Sequence, residues 1–155
     1  GAAGMRMTVG ANIGADTEAV GQSDLILLWG TNTLTANPHL WPFVLQAREN
    51  GAPVICIDPI RTRTARQCDE WIAIRPGTDA ALALGIAHVL FAEGLIDEDF
   101  LERHTIGADQ MRVRAAEWTP ERTSATTGIP VETIVSLARR YGRAKNAFIR
   151  VNYGL

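Results

Sequence analysis

The run Asp24-Leu25-Ile26-Leu27-Leu28-Trp29, closed by Gly30-Thr31-Asn32, decides the fold class of this 155-residue chain. An uninterrupted apolar run this short, ended by a glycine, suits a strand buried on both faces, the pattern of parallel sheets. Working outward, Pro53 to Ile57 is a second such run, ending at Asp58-Pro59. Trp71 to Ile74 is a third, ending at Arg75-Pro76-Gly77, and Ala147 to Val151 is a fourth. Between the strands the spacing turns helical. Leu40, Phe43, Val44 and Ala47 share one side of a helix over Leu40 to Asn50, with Gly51 as its stop. Thr78 or Asp79 caps a long helix that runs to about Glu93 and ends at Gly94. Asp97 to Arg103 and Ala108 to Trp118 read as short helices, and Asp16 to Val20 as a weaker one. Thr119-Pro120-Glu121 supplies a cap, a proline at the first helical position and an acid in the first turn. Pro130 opens a further helix with Val131, Ile134, Val135 and Ala138 on one side, and Gly142 is expected to stop it.

Strands alternating with helices predict an α/β fold: three layers, a mainly parallel sheet and helices on both faces. Composition agrees. The chain is 46% hydrophobic and 21% charged, ordinary values for one folded domain, so residues 1–155 are expected to form a single domain. Fifteen basic against 17 acidic residues give a net charge of -2, which argues against a nucleic-acid partner while allowing a local anion site. Ala80 to Ala92 is the longest nearly apolar run; His88 interrupts it and it is too short for a membrane span. Gly1 to Gly14 lacks a basic region followed by an apolar stretch; a cytoplasmic location is the expectation. Cys56, inside an apolar strand, is expected to be a core residue, and Cys68 a surface or half-buried thiol.

In parallel α/β sheets ligands bind at the carboxyl ends of the strands. Three loops should therefore share one edge: Gly30-Thr31-Asn32, Asp58 to Thr62, and Gly77-Thr78-Asp79. Gly30 lets a backbone approach a ligand closely, and Asn32 offers both a donor and an acceptor. Asp58 suits ribose hydroxyls, while Arg61 and Thr62 suit a phosphate. Gly77-Thr78-Asp79 opens a helix, where free amides and the dipole favour an anion or a polar base edge. Taken singly, each residue also fits a plain structural role: Gly30 and Gly77 as turn formers, Asp58-Pro59 as a turn opener, Asp79 as a helix cap. Their convergence on one edge points to a nucleotide site. GxGxxG after a strand and GxxxxGK[ST] are both absent, as are HExxH and GxSxG. His88 reads as a core histidine and His39 as a loop residue. The tryptophans read as packing residues, with Trp29 singled out because it adjoins Gly30.

These segments resemble, in order and spacing, those of the molybdopterin oxidoreductases of the dimethyl sulfoxide reductase superfamily. Ser23 to Asn32 is similar to that family's ADLIxxWGxN segment, and Ile57 to Ala65 to its IDPxxTxTA segment. Asp69 to Leu84 resembles ADxxxxIRPGTDxALALA, and Arg150-Val151-Asn152-Tyr153-Gly154-Leu155 resembles RxNYGLQRH. The resemblance covers essentially the whole chain. It implies a Rossmann-like domain binding one molybdopterin guanine dinucleotide. The parent would be a large oxidoreductase holding molybdenum or tungsten in a bis-molybdopterin guanine dinucleotide, transferring an oxygen atom or a hydride equivalent coupled to electron transfer. Gly30 and Asn32 would contact the cofactor. Asp58, Arg61 and Thr62 would bind its ribose or phosphate region, and Gly77, Thr78 and Asp79 its guanosine end.

The resemblance also implies what lies elsewhere. The family's iron–sulfur cysteines lie near the start of the full protein, and neither Cys56 nor Cys68 matches its metal ligand. The metal-ligating Ser, Cys or selenocysteine is expected just before Gly1, and the second dinucleotide's site in a C-terminal domain. The expected partners are the parent's remaining domains and an electron-transfer subunit or domain. The chain alone is expected to fold, to hold no cofactor or metal and to catalyse nothing. Two other readings share some of these features: the central domain of a thiamine-diphosphate enzyme, and a non-enzymatic nucleotide-binding module. The Arg75-Pro76-Gly77-Thr78-Asp79 segment favours the molybdenum family.

Overall fold

A computed structural model describes residues 2–11 and 14–152. Asn12 and Ile13, and Tyr153 to Leu155 of the last resembling segment, lie outside the described residues. The chain begins with helix α1 (Ala2–Val9) and a 3-10 turn (Glu18–Gln22), where the weak helix around Asp16 to Val20 was expected. Strand β1 (Leu25–Trp29) follows, then a single turn α2 (Thr33–Ala36) and helix α3 (Trp41–Glu49). Strands β2 (Val54–Ile57) and β3 (Glu70–Ile72) complete the first half. The second half is helical: α4 (Asp79–Ala92), α5 (Glu98–His104), α6 (Ala108–Ala116), α7 (Pro120–Thr127) and α8 (Val131–Arg143), closed by strand β4 (Ala147–Val151).

The four strands form one wholly parallel sheet in the order β3-β2-β1-β4. All five β1 residues are buried, because β1 has a neighbour on each side and a helical layer on each face. Alternate residues of a strand face opposite ways. Ile26 and Leu28 of β1, with Val54 of β2, meet Val20, Leu40, Val44 and Ala47 from the 3-10 turn and the α3 side. Leu25, Leu27 and Trp29, with Ile55, Ile57 and Ile72, meet Leu82, Ile86 and Val89 of α4 and Ile134, Leu137 and Ala138 of α8. Helices therefore cover both faces, giving the three-layer α/β architecture expected from the sequence. The apolar residues all round α4 have a cause too: α6, α7 and α8 all pack against it.

Two boundaries differ from the sequence expectation. β3 occupies Glu70–Ile72 rather than Trp71 to Ile74. Ile74 leaves the ladder but stays buried, while the next amide, Arg75, donates to Thr127 O of α7 instead of a strand. Gly142 does not stop α8, which runs to Arg143. A Cβ at Gly142 would lie 2.7 Å from Leu90 Cδ2 and from Leu95 Cβ, so this glycine permits close packing against the end of α4 rather than a helix stop.

Gly85 does the same work between α4 and α7. A Cβ there would sit 2.4 Å from Oγ1 of the wholly buried Thr123. Gly85→Ala is expected to overpack this contact by about 1–3 kcal/mol, with alanine's better helix propensity returning at most about 1 kcal/mol. A fall of a few degrees in melting temperature is expected, at about 2–4 °C per kcal/mol for a chain of this size. An unchanged or raised melting temperature would contradict the close α4–α7 contact.

Candidate functional site

The carboxyl ends of β1, β2 and β3 lie on one edge of the sheet, since all three run parallel. From β1 the chain leaves through α3 to β2 on one side; from β3 it returns through α4 to α8 to reach β4 on the other. The connections thus diverge on either side of β1, the kind of switch point where such sheets bind ligands. The loop at this point is Gly30-Thr31-Asn32. Gly30 has φ +59°, a left-handed conformation that favours glycine, and its amide donates 2.8 Å to Ile57 O of β2. Thr31 is buried and Asn32 half-buried.

Hydrogen bonds join the first loop to the second and tie the second and third to the sheet. Thr64 Oγ1, wholly buried, donates 2.7 Å to Asn32 Oδ1 and accepts from the Leu34 amide at 3.0 Å, tying the first loop to the second. This commits Asn32's acceptor and leaves its amide nitrogen as a donor for a ligand. The Asp58 amide donates to Ile72 O, and Trp71 Nε1 donates 2.9 Å to Asp58 O, tying the second loop to β3. Trp29 Nε1 donates 2.7 Å to Asp79 Oδ1, tying the end of β1 to the start of α4. Farther from the edge, Arg48 of α3 bonds Gln67 O and Asp69, and Asp69 Oδ2 accepts from the Val54 amide at 2.8 Å. That network clamps the far end of the second loop to α3 and β2.

Asp58 is nearly buried, and its Oδ1 accepts from the Ile60 amide at 2.8 Å. It is therefore the turn opener that one structural reading predicted, with Oδ2 left for another donor. Arg61 is exposed, its guanidinium carbon 5.8 Å from the Trp71 ring centroid, a contact that holds the charge beside the loop. Thr62 Oγ1 accepts from the Ala65 amide at 3.2 Å, closing the turn beyond Arg61. In the third loop Gly77 has φ +77°, and nothing lies within 4 Å of where its Cβ would be. Thr78 sits at the cap position of α4 without a side-chain cap bond; its hydroxyl donates 2.6 Å to Arg75 O. Asp79 is half-buried, its Oδ1 taken by Trp29 rather than by the amides of its own helix. Arg75 buttresses this loop by donating to Ala125 O and Thr126 O at 3.1 and 2.5 Å.

The eight residues expected from the sequence thus fall on three loops at one edge, each tied to the sheet or to a neighbouring loop. Thr64 and the Trp29–Asp79 contact were not foreseen as site features. Two apolar grooves lie elsewhere: one is lined by Leu25, Pro53 and α8, the other by residues of α4, α5 and α8. His88 Nδ1 lies 3.0 Å from Ala115 O, a structural contact away from the three loops. Among the described residues no helix is long and apolar enough to cross a membrane.

Cys56 is wholly buried on β2, and Cys68, at the end of the second loop, packs against the same core. The Cys68 thiol donates 3.2 Å to Thr64 O, and its interaction with Cys56 holds Cys68 below the ordinary thiol range, while that interaction and burial push Cys56 far above it. Limited alkylation of the folded chain with iodoacetamide near neutral pH is expected to label Cys68 first. Mass spectrometry finding Cys56 labelled first would contradict this pairing.

The fold is a three-layer, Rossmann-like α/β domain with the candidate site at the carboxyl edge of its sheet. The chain belongs to the molybdopterin oxidoreductase family, whose model matches residues 3–151. It is 40% identical over 154 residues to "Probable oxidoreductase YoaE" of Bacillus subtilis, covering 99% of this chain and 23% of that protein. It is 37% identical over 134 residues to the F420-dependent formate dehydrogenase 2 subunit alpha of Methanococcus maripaludis, covering 86% of this chain and 20% of that subunit. Among solved structures it resembles acetylene hydratase from Pelobacter acetylenicus, with a TM-score of 0.77 at 27% identity, covering 88% of this chain and 21% of that one. The chain spans about a fifth of the length of the relatives it matches. Family membership sets aside the thiamine-enzyme reading and implies a molybdopterin cofactor with molybdenum or tungsten. The site suits such a group. The empty space at the Gly77 Cβ position admits a ligand against bare backbone, and Asn32 and Asp79 keep one donor group and one acceptor oxygen uncommitted.

Proposed function

We propose that this domain holds the guanine dinucleotide end of a molybdopterin guanine dinucleotide, within a parent oxidoreductase that moves an oxygen atom or a hydride equivalent together with electrons. The observation that carries the reading is the placing of three strand-end loops at one sheet edge, the first two joined by the Thr64–Asn32 bond, with a carboxylate oxygen of Asp79 uncommitted among the described residues and a bare backbone at Gly77. Gly30 and Asn32 receive the cofactor at the switch point, with the Asn32 amide group donating. Asp58 Oδ2 accepts from ribose hydroxyls, Arg61 neutralises phosphate charge, and the Thr62 hydroxyl donates to a phosphate oxygen. Gly77 and Thr78 give the base room beside the start of α4, and Asp79 accepts from guanine. When bound, the cofactor supplies a metal centre able to exchange an oxygen atom or accept reducing equivalents. The metal ligand, any iron–sulfur cluster and the second dinucleotide's site belong to the parent's remaining domains, and an electron-transfer subunit or domain completes the electron path.

Calorimetric titration of the chain with GDP and with ADP tests the reading, since GDP carries the base, ribose and diphosphate of the dinucleotide's guanosine end. GDP binding the more tightly is expected. Equal affinities, or tighter ADP binding, would overturn it.

A further inference from the structure

We infer that Trp29 is a positioning residue for guanine recognition: its indole N–H fixes the Asp79 carboxylate so that Oδ2 is presented to the base. The inference rests on the proposed nucleotide site and adds a residue to it. An aspartate in the first turn of a helix ordinarily serves that helix's own free amides. Here it does not. The cap position, Thr78, makes no side-chain cap bond, and Asp79 Oδ1 instead takes the proton of Trp29 Nε1 at 2.7 Å, from a residue 50 positions away. Oδ2 carries no hydrogen bond among the described residues.

The donor is rigid. Trp29 is 7% exposed and belongs to the core cluster that includes Ile57, Ile72, Ile74 and Leu82, so its ring is held by the sheet and by α4 together. An indole nitrogen only donates. A carboxylate held on one oxygen by a fixed donor loses its freedom to rotate onto the α4 amides. It therefore meets guanine's N1–H and N2–H₂ already oriented, with less ordering left to be done on binding. Adenine offers no matching pair of donors on that edge and gains nothing from the orientation. The effect should thus appear in selectivity between bases and not in affinity for the ribose and phosphates.

The test is a double-mutant cycle in the full chain, with GDP and ADP as probes. Trp29→Phe keeps an aromatic ring in the core while removing the N–H donor together with part of the indole. It is expected to lower the GDP-to-ADP preference about tenfold, the scale of a hydrogen bond to a charged group, and to leave ADP affinity unchanged. In an Asp79→Asn background the same replacement should change the preference little, because the group it positions has lost its role. A Trp29→Phe chain with full preference overturns the inference, as does an equal loss with and without Asp79. A wild-type chain with no preference for GDP overturns the nucleotide reading itself, a distinguishable result. Should Trp29→Phe not fold, the indole N–H resonance of the wild-type chain decides. It is expected to move on Asp79→Asn and on GDP addition more than on ADP addition; a resonance indifferent to both overturns the inference.

Discussion

Asp79→Asn is expected to abolish most of the chain's preference for GDP over ADP. Guanine presents two donors, N1–H and N2–H₂, and an uncommitted carboxylate oxygen accepts from them. Asparagine keeps a similar shape and can still accept at its carbonyl, but its NH₂ sets donor against donor. Discrimination between base edges of this kind is worth about 1–3 kcal/mol, so the ratio of the two affinities should fall by roughly one order of magnitude or more. The competing view of Asp79, that it only caps α4, loses ground in the structure because its Oδ1 reaches Trp29 and not an α4 amide. Isothermal titration of both variants with both nucleotides measures the change. Full retention of the preference by Asp79→Asn would remove Asp79 from base recognition.

Leu27→Ala is expected to give a large loss of stability. Leu27 is 1% exposed at the middle of β1, paired in register with Ile55 on one side and Ile149 on the other. It belongs to the cluster between the sheet and the α4–α8 layer, so its truncation leaves a cavity in the core. Such truncations cost about 2–5 kcal/mol. Chemical denaturation should show a midpoint shift with an unchanged slope. A loss below about 1 kcal/mol would contradict the central place of β1 in the core.

Burial accounts for the reading of β1 to β3, whereas β4, exposed or half-buried throughout, was still found at its expected bounds from its apolar residues between two loops. β1 and β2 are covered on both faces, so their sequences are uninterrupted apolar runs and their ends fall close to the expected places. β3 is an edge strand whose first two residues, Glu70 and Trp71, are only half-buried, so its pattern is weaker and its register was misplaced toward Ile74. α1 is exposed along its described side chains and carries no stripe to betray it, and α2 is a single turn. Gly142 misled because a glycine near a helix end usually marks a stop; its reason here, contact with Leu90 and Leu95, is set by tertiary packing. The candidate site residues could be named from the sequence because parallel sheets place ligands at strand ends, so any residue just after a strand qualifies. What joins those loops was not. Thr64 to Asn32 spans 32 positions and Trp29 to Asp79 spans 50, and no local pattern announces either bond.

In the proposed complex one ligand bridges three loops at the carboxyl edge of the sheet. Amide chemical-shift mapping of the isotope-labelled chain during GDP titration tests it most directly. The largest perturbations are expected in Gly30 to Asn32, Asp58 to Thr62 and Gly77 to Asp79, moving together with a single binding constant. Perturbations confined to one loop, or centred on the α8 groove lined by Val135, Ser136 and Arg139 at the opposite end of β1, would contradict it.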